Sequence, residues 1–270
     1  MVADLHIHTK NSDGTDSLED ILRLVGNQEA ILAITDHHFL SLAKPQKMEN
    51  VIAIPGIEVS GMCNGKSCHF TAYSLDPKPT VELQKMSEMI TAGYAERARK
   101  IVKKLNDHGY HITGPVIYTY NIARKMKSLL NMNFDSEVIK WAKENGDLFH
   151  IEENNFMPDV REIVQRLHDS NFKVFWAHPG TRYLKLGSPP KEYETMLFVM
   201  KNERIDGVEC FCPAHSPEQT ETFLKTSQKY GLAVSGGSDY HGIGRGMSLP
   251  QLCLPHEYTL KFMDYLKETL

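Results

Sequence analysis

Seven short apolar runs, each ending in polar residues, recur along the chain: Val2–Ile7, Ala30–Thr35, Val51–Ile57, Cys68–Ser74, Lys173–Ala177, Ile205–Phe211 and Leu232–Ser235. Each is rich in Val, Ile, Leu, Ala or Phe, as strands buried on both faces tend to be. Helical periodicity fills several of the gaps. Ser17 to Val25 places Leu18, Ile21, Leu22 and Val25 on one face, with Asp16 or Ser17 as N-cap, and Val160–His168 and Pro217–Tyr230 read the same way. Strand alternating with helix predicts βα units, a parallel sheet and an α/β fold.

The stretch from Thr80 to Met157 differs, being helix-forming with no strand signal. From Thr91 to Lys127 it holds eight basic residues, among them Arg97, Lys100, Lys104, Arg124, Lys125 and Lys127, against two acidic ones, inside a chain whose net charge is -4. We read a helical insertion between the fourth and fifth strands, whose basic face is either a solvated surface or a polyanion contact. A chain of 270 residues can bury a core without disulfide or metal staples. Mild overall acidity argues against a general nucleic-acid coat and against long duplex DNA, while leaving room for a small phosphorylated ligand. No run reaches the roughly 18 apolar residues of a membrane span, and the first residues carry no basic flank before an apolar core. The five cysteines contain no C-x-x-C pair, which favours a reducing cytoplasm over a secreted disulfide framework.

Histidines and acids fall where these strands end. His6 and His8 close the first, and period-two alternation puts both side chains on one face. His37 follows the second and Glu58 the third; His69 lies in the fourth, His178 ends the fifth, and Asp239 and His241 follow the seventh. In a parallel barrel all strand carboxyl ends open on one face, where catalytic groups gather. A lone histidine is more often structural, and His108, His111, His150, His168 and His256 take that reading. Five strand ends carrying His, Glu or Asp together point instead to a metal site, and imidazole plus carboxylate without thiolate suits Zn, Mn or Fe. Cys63 and Cys68, close to these residues, read as packing.

These residues resemble the motifs of the PHP (polymerase and histidinol phosphatase) superfamily. His6-Ile7-His8-Thr9 with Ser12-Asp13-Gly14 looks like its opening motif; Thr35-Asp36-His37, Gly56-Ile57-Glu58, His69, Ala177-His178-Pro179 and Gly237-Ser238-Asp239-Tyr240-His241 follow in order. The resemblance implies a distorted (β/α)7 barrel over residues 1–79 and 158–270, with residues 80–157 inserted across the active site. It implies two to three divalent ions: one on His6, His8, Glu58 and Asp239, a second on Glu58, His69 and His178, a third on Asp13, His37 and His241. It implies a metal-dependent phosphoesterase, in which a hydroxide bridging two ions attacks phosphorus and Glu58 and Asp239 are catalytic through the ions they hold.

Gly207-Val208-Glu209, His215-Ser216-Pro217-Glu218-Gln219, Asn121-Ile122-Ala123-Arg124 and Arg182 resemble most the branch holding 3′,5′-nucleoside bisphosphate phosphatases and 5′→3′ exoribonucleases. The implied substrates are nucleoside 3′,5′-bisphosphates or short 5′-phosphorylated oligonucleotides, with Arg124 and Arg182 as phosphate clamps. His215 is a candidate proton donor or phosphate contact, with capping of the following helix as its structural alternative. A histidinol-phosphate-type phosphatase, an amidohydrolase and a metal-binding regulatory module are the rival readings. The chain departs from the pattern at His38, where an acid is usual, at Asn121, where a histidine is usual, and between Asn145 and Pro158, where no Gly-Lys-Pro stretch occurs.

Overall fold

The computed structural model describes residues 1–151, 156–182, 190–242 and 252–268. All seven apolar runs form strands: β1 (Val2–Ile7), β2 (Ala30–Ile34), β4 (Val51–Cys63), β5 (Lys66–Tyr73), β6 (Lys173–Trp176), β7 (Gly207–Phe211) and β8 (Ala233–Gly236). An eighth, β3 (Gln46–Met48), pairs antiparallel with β4 and is fully exposed, so no apolar pattern announced it. Helices α1 (Leu18–Val25), α5 (Val160–Asp169) and α8 (Pro217–Tyr230) occupy the predicted gaps. Ser17 and Ser216 cap α1 and α8 through reciprocal capping boxes with Asp20 and Gln219, which satisfies otherwise orphaned first-turn N–H groups. Further helices are α2 (Val81–Asp107), α3 (Thr119–Leu129), α4 (Asp135–Glu144), α6 (Pro179–Arg182), α7 (Pro190–Asn202) and α9 (His256–Lys267).

The sheet is mixed, which corrects the all-parallel expectation. Its order is β1-β2-β4-β5-β6-β7-β8, and β5 runs antiparallel to both neighbours. The cause is Asn64-Gly65, both at positive φ (51° and 71°), a two-residue turn whose twist matches that of the flanking strands. No helix intervenes, so β4 folds straight back into β5. This reversal is what brings His69 to the site. It sits in the first half of β5, opposite Ser60, and its carbonyl accepts a hydrogen bond from Ala177 N–H at the carboxyl end of β6. The two ends of the sheet approach each other where Tyr240 N–H donates to His6 O (3.2 Å) and His8 N–H to Tyr240 O (2.7 Å). No ladder joins β1 to β8 among the described residues, so the pairing is that of a mixed α/β sheet and not of a closed barrel.

Helix α2 belongs to two apolar cores. Its first half sends Leu83, Met86, Ile90 and Tyr94 into the main cluster beside β4, β5 and α5. Its second half packs Ala98, Ile101 and Leu105 against Ile122, Ala123 and Met126 of α3 and Val138 and Ala142 of α4. A 27-residue helix is about 40 Å long, enough to leave one core and nucleate another.

Away from the site, Asp206 ties three elements together. Its carboxylate lies 2.7 Å from His168 Nε2 and accepts from Val174 N–H (2.8 Å) and Tyr265 O–H (2.8 Å), which gives His168 the structural role expected of it. Burial raises the Asp206 carboxyl, but these partners outweigh it and leave the group below its ordinary value. A carboxylate depressed on folding contributes stability above its unfolded pKa, near 3.9, and loses it as pH falls through the folded value. Asp206→Asn should therefore cost ~1–3 kcal/mol at pH 7, with a smaller difference from wild type below about pH 4. Urea unfolding at both pH values checks this.

Candidate metal centre

The candidate ligands reach one buried mouth from separate strand ends, and the backbone there is strained. His38 (φ 54°), His178 (φ 27°) and Asp239 (φ 55°) occupy left-handed conformations that non-glycine residues avoid. Gly237 permits a close approach: a Cβ there would lie 2.2 Å from His6 Cβ, so only glycine lets the end of β8 reach β1. That contact accounts for Gly237 in the motif preceding Asp239.

Glu58 is the hub. It is fully buried. Its Oε1 lies 2.7 Å from His69 Nδ1, 3.1 Å from His178 Nε2 and 3.4 Å from His6 Nε2. Its Oε2 lies 2.8 Å from His37 Nδ1 and 3.2 Å from His8 Nε2. Asp239 Oδ1 stands 3.3 Å from His8 Nε2 and 3.5 Å from His6 Nε2. Asp13 Oδ1 stands 3.3 Å from His241 Nε2 and 3.8 Å from His37 Nε2. Three overlapping groups result, each with donor atoms within 4.8 Å of one another: His6, His8, Glu58 and Asp239; His8, Asp13, His37 and His241; and His37, Glu58 and His69. The first is the set implied for one ion. The second adds His8 to the set implied for another. In the remaining group His37 stands beside Glu58 and His69, while His178 joins through Glu58 Oε1.

The donor set fits cations. His6 Nε2, both ring nitrogens of His8, His37 Nδ1 and Glu58 Oε2 are buried without a hydrogen-bond partner. Buried polar atoms are otherwise almost always paired, and lone-pair donors converging on shared points are what a divalent ion requires. Charge agrees. Burial disfavours the Glu58 carboxylate, yet His69, His37 and His6 hold it well below the usual carboxylate range. Burial likewise disfavours a charge on His6, but Glu209 and Glu58 raise it well above its ordinary value. The pocket thus favours positive charge beside its carboxylates, and bound divalent ions would supply that charge with the imidazoles neutral.

An outer layer orients the ligands. His6 Nδ1 lies 3.1 Å from Glu209 Oε1, and Glu209 Oε2 accepts from His178 N–H at 2.6 Å. A proton held at Nδ1 leaves the His6 Nε2 lone pair facing Glu58 and Asp239. Glu209→Gln should lower metal affinity by roughly 10–100-fold, measured by titrating the apoprotein with Mn²⁺; unchanged affinity would contradict this role. Asp36 turns away from the ligands and accepts from Thr9 N–H (2.7 Å), Thr9 O–H (2.7 Å), Ser12 O–H (2.6 Å) and Ser41 O–H, clamping the loop that presents Asp13. Asp4 accepts from Ser238 N–H (2.9 Å) and His6 N–H (3.2 Å), and burial pushes its carboxyl up to about 7.

The expected substrate residues are placed differently. Arg124, on α3, donates to the Asp13 carbonyl (2.9 Å) and lies 3.8 Å from the buried Asp135, so it borders the Asp13 group. The backbone of Arg182 ends α6, one turn beyond His178, and its side chain lies outside the described residues. His215 accepts from Gly180 N–H at Nε2 (3.2 Å) and its Nδ1 lies 3.1 Å from the Cys210 carbonyl. Both ring nitrogens are thus engaged by main chain, and Ser216 caps α8 in place of His215. Asn121, in the position where a histidine is usual, accepts from Tyr118 N–H (3.0 Å) at the start of α3. Tyr118, which the sequence did not single out, donates to the His37 carbonyl (3.3 Å) with its ring 5.3 Å from that of His37. Cys63 and Cys68 are free and buried, and burial pushes the Cys63 thiol up to about 11, consistent with packing.

No family model matches the chain. Curated relatives do. The chain is 22% identical to the 3′,5′-nucleoside bisphosphate phosphatase of Chromobacterium violaceum, over 93% of this chain and 94% of that protein. It is 23% identical to the phosphoribosyl 1,2-cyclic phosphate 1,2-diphosphodiesterase of Eggerthella lenta, over 90% and 95%. Both relatives are named for phosphoester hydrolysis, which is consistent with the PHP resemblance of the motifs and with a metal-dependent phosphoesterase. Two solved structures share its fold at 20% identity. One is assigned as a metal-dependent phosphoesterase from Bifidobacterium adolescentis (TM-score 0.75, covering 97% of this chain and 95% of that one). The other is an amidohydrolase from Chromobacterium violaceum with bound sulfate (TM-score 0.78, covering 100% and 97%). As in the PHP motifs, the candidate ligands come in order from the ends of β1, β2, β4, β5, β6 and β8. Among the described residues, no helix is long and apolar enough to cross a membrane.

Proposed function

We propose that this phosphoesterase acts on nucleotides, either nucleoside 3′,5′-bisphosphates or short 5′-phosphorylated oligonucleotides. The observation that carries the reading is the Glu58 hub, with its convergent and unpaired imidazole and carboxylate donors, in a chain whose curated relatives are named for phosphoester hydrolysis. His6, His8, Glu58 and Asp239 hold one divalent ion; Glu58, His69 and His178 a second; Asp13, His37 and His241 a third. Bound there, Mn, Fe or Zn would supply a water of lowered pKa and neutralise phosphate charge.

The chain's own residues do the rest. Glu58 fixes the spacing of the ligands around it. Arg124 and Arg182 orient the phosphate, Arg124 from its place beside the Asp13 carbonyl. His215 is a positioning residue: it holds the Gly180 turn, and with it the backbone that carries Arg182. Residues 1–79 and 158–270 form the catalytic unit built on the mixed sheet, and residues 80–157 the insertion across its mouth. The separate apolar cluster of α2–α4 and the place of Tyr118 against His37 support that division.

Phosphate release from 3′-phosphoadenosine 5′-phosphate and from histidinol phosphate, each with Mn²⁺, tests the reading. A preference of about 100-fold in kcat/KM for the nucleotide, about 2.7 kcal/mol, is expected. Preference for histidinol phosphate would make this a small-molecule monoesterase. Inactivity on both, with ions bound, would make it a cation-binding module.

A further inference from the structure

Beside the metal centre lies a cavity of about 770 Å³, within the range of small-molecule sites. It is continuous with the centre, because His37 is both a candidate ligand and a lining residue, and Asn11 and Ser12 line it from the loop that presents Asp13. One wall is flat and apolar: Phe39, Leu40, Ile57 and the Tyr118 ring. Phe39 leaves 53% of its surface exposed. The opposite wall is one face of α2, where Gln84, Ser87, Glu88, Thr91, Ala92 and Ala95 recur at helical spacing. Apart from Leu83, the α2 residues lining it are small or polar, so the helix stands back and leaves a trough.

His38 lines the same cavity, at the position where the PHP pattern has an acid. It is 5% exposed, its ring stacks on Tyr94 (5.6 Å between centroids), and neither ring nitrogen has a hydrogen-bond partner. A neutral imidazole offers one donor and one acceptor. Gln84 and Glu88, joined by a 3.0 Å hydrogen bond, add an amide and a carboxylate on the facing wall.

From the aromatic walls, the mixed donors and acceptors and the opening beside His37, we infer that this cavity is the subsite for the heterocyclic base of a nucleotide substrate, with His38 and the Gln84–Glu88 pair as its specificity groups. The inference rests on the phosphoesterase reading for the phosphate end of the substrate. Base recognition can be measured without it.

Adenosine, which carries no phosphate, is titrated against the full chain by ligand-observed NMR. Phosphate release from 3′-phosphoadenosine 5′-phosphate is then compared with release from ribose 5-phosphate. Ala92→Trp fills the trough from an exposed helix position; Gln84→Trp, equally exposed, replaces it if that variant fails to fold. The expected result is adenosine binding that either tryptophan weakens at least about tenfold, with the preference for nucleotide over ribose phosphate lost to a similar extent. Absence of adenosine binding at 10 mM, or binding unchanged in the folded variant, would overturn the subsite. Adenosine binding without phosphate release from either ester would uphold the subsite and overturn the phosphoesterase reading.

Discussion

Glu58→Ala is expected to lower kcat/KM for phosphoester hydrolysis by at least about 10³, roughly 4 kcal/mol of transition-state stabilisation. The size follows from position. Among the described residues, Glu58 is the one carboxylate within 3.4 Å of a ring nitrogen from each of His6, His8, His37, His69 and His178. Removing it takes a candidate ligand from two of the three donor groups and leaves five imidazoles, four of them buried, around an apolar methyl. Metal content per chain should fall together with turnover. A variant that keeps wild-type metal content and rate would contradict the hub role, and circular dichroism establishes that the variant is folded before either is read.

Asp13→Ala should act on one ion only. Asp13 belongs to the group formed with His8, His37 and His241 and to neither of the other two. The expected result is loss of about one metal equivalent with a fall of roughly 10²-fold in kcat, as for removal of one charge-stabilising group. Because Arg124 donates to the Asp13 carbonyl, that main-chain contact to α3 survives the substitution. Unchanged metal stoichiometry would remove the third ion from the account.

The strands and the clustered His, Asp and Glu residues were legible because both leave local marks. A buried strand needs an apolar run, and a ligand at a strand end needs His, Asp or Glu just past it. Strand direction leaves a weaker mark. The reversal of β5 hung on Asn64-Gly65, a hairpin signal in plain view between two apolar runs, yet the surrounding βα rhythm argued for a parallel neighbour. Exposed β3 had no pattern to read.

The outer layer was least accessible. Glu209 and His6 are 203 residues apart, and nothing near either one announces the pairing. Likewise, nothing beside Asp36 in the Thr35-Asp36-His37 motif announces that it closes a loop through hydroxyl and amide donors. His215 shows the converse limit: a histidine at a strand end can be engaged entirely by backbone, here Gly180 and Cys210. His38 and Asn121, two of the three departures from the PHP pattern, have separate outcomes. Asn121 serves the start of α3, whereas His38 lines the cavity beside the centre.

The central claim is that the buried histidine–carboxylate cluster binds divalent ions that phosphoester hydrolysis requires. The most direct measurement is phosphate release from 3′-phosphoadenosine 5′-phosphate by protein stripped with chelator and then resupplied with Mn²⁺, with bound metal counted at each stage. The account predicts release that disappears with the metal and returns as two to three equivalents rebind. Release that persists in the stripped protein, or rebinding that restores none of it, would contradict the claim.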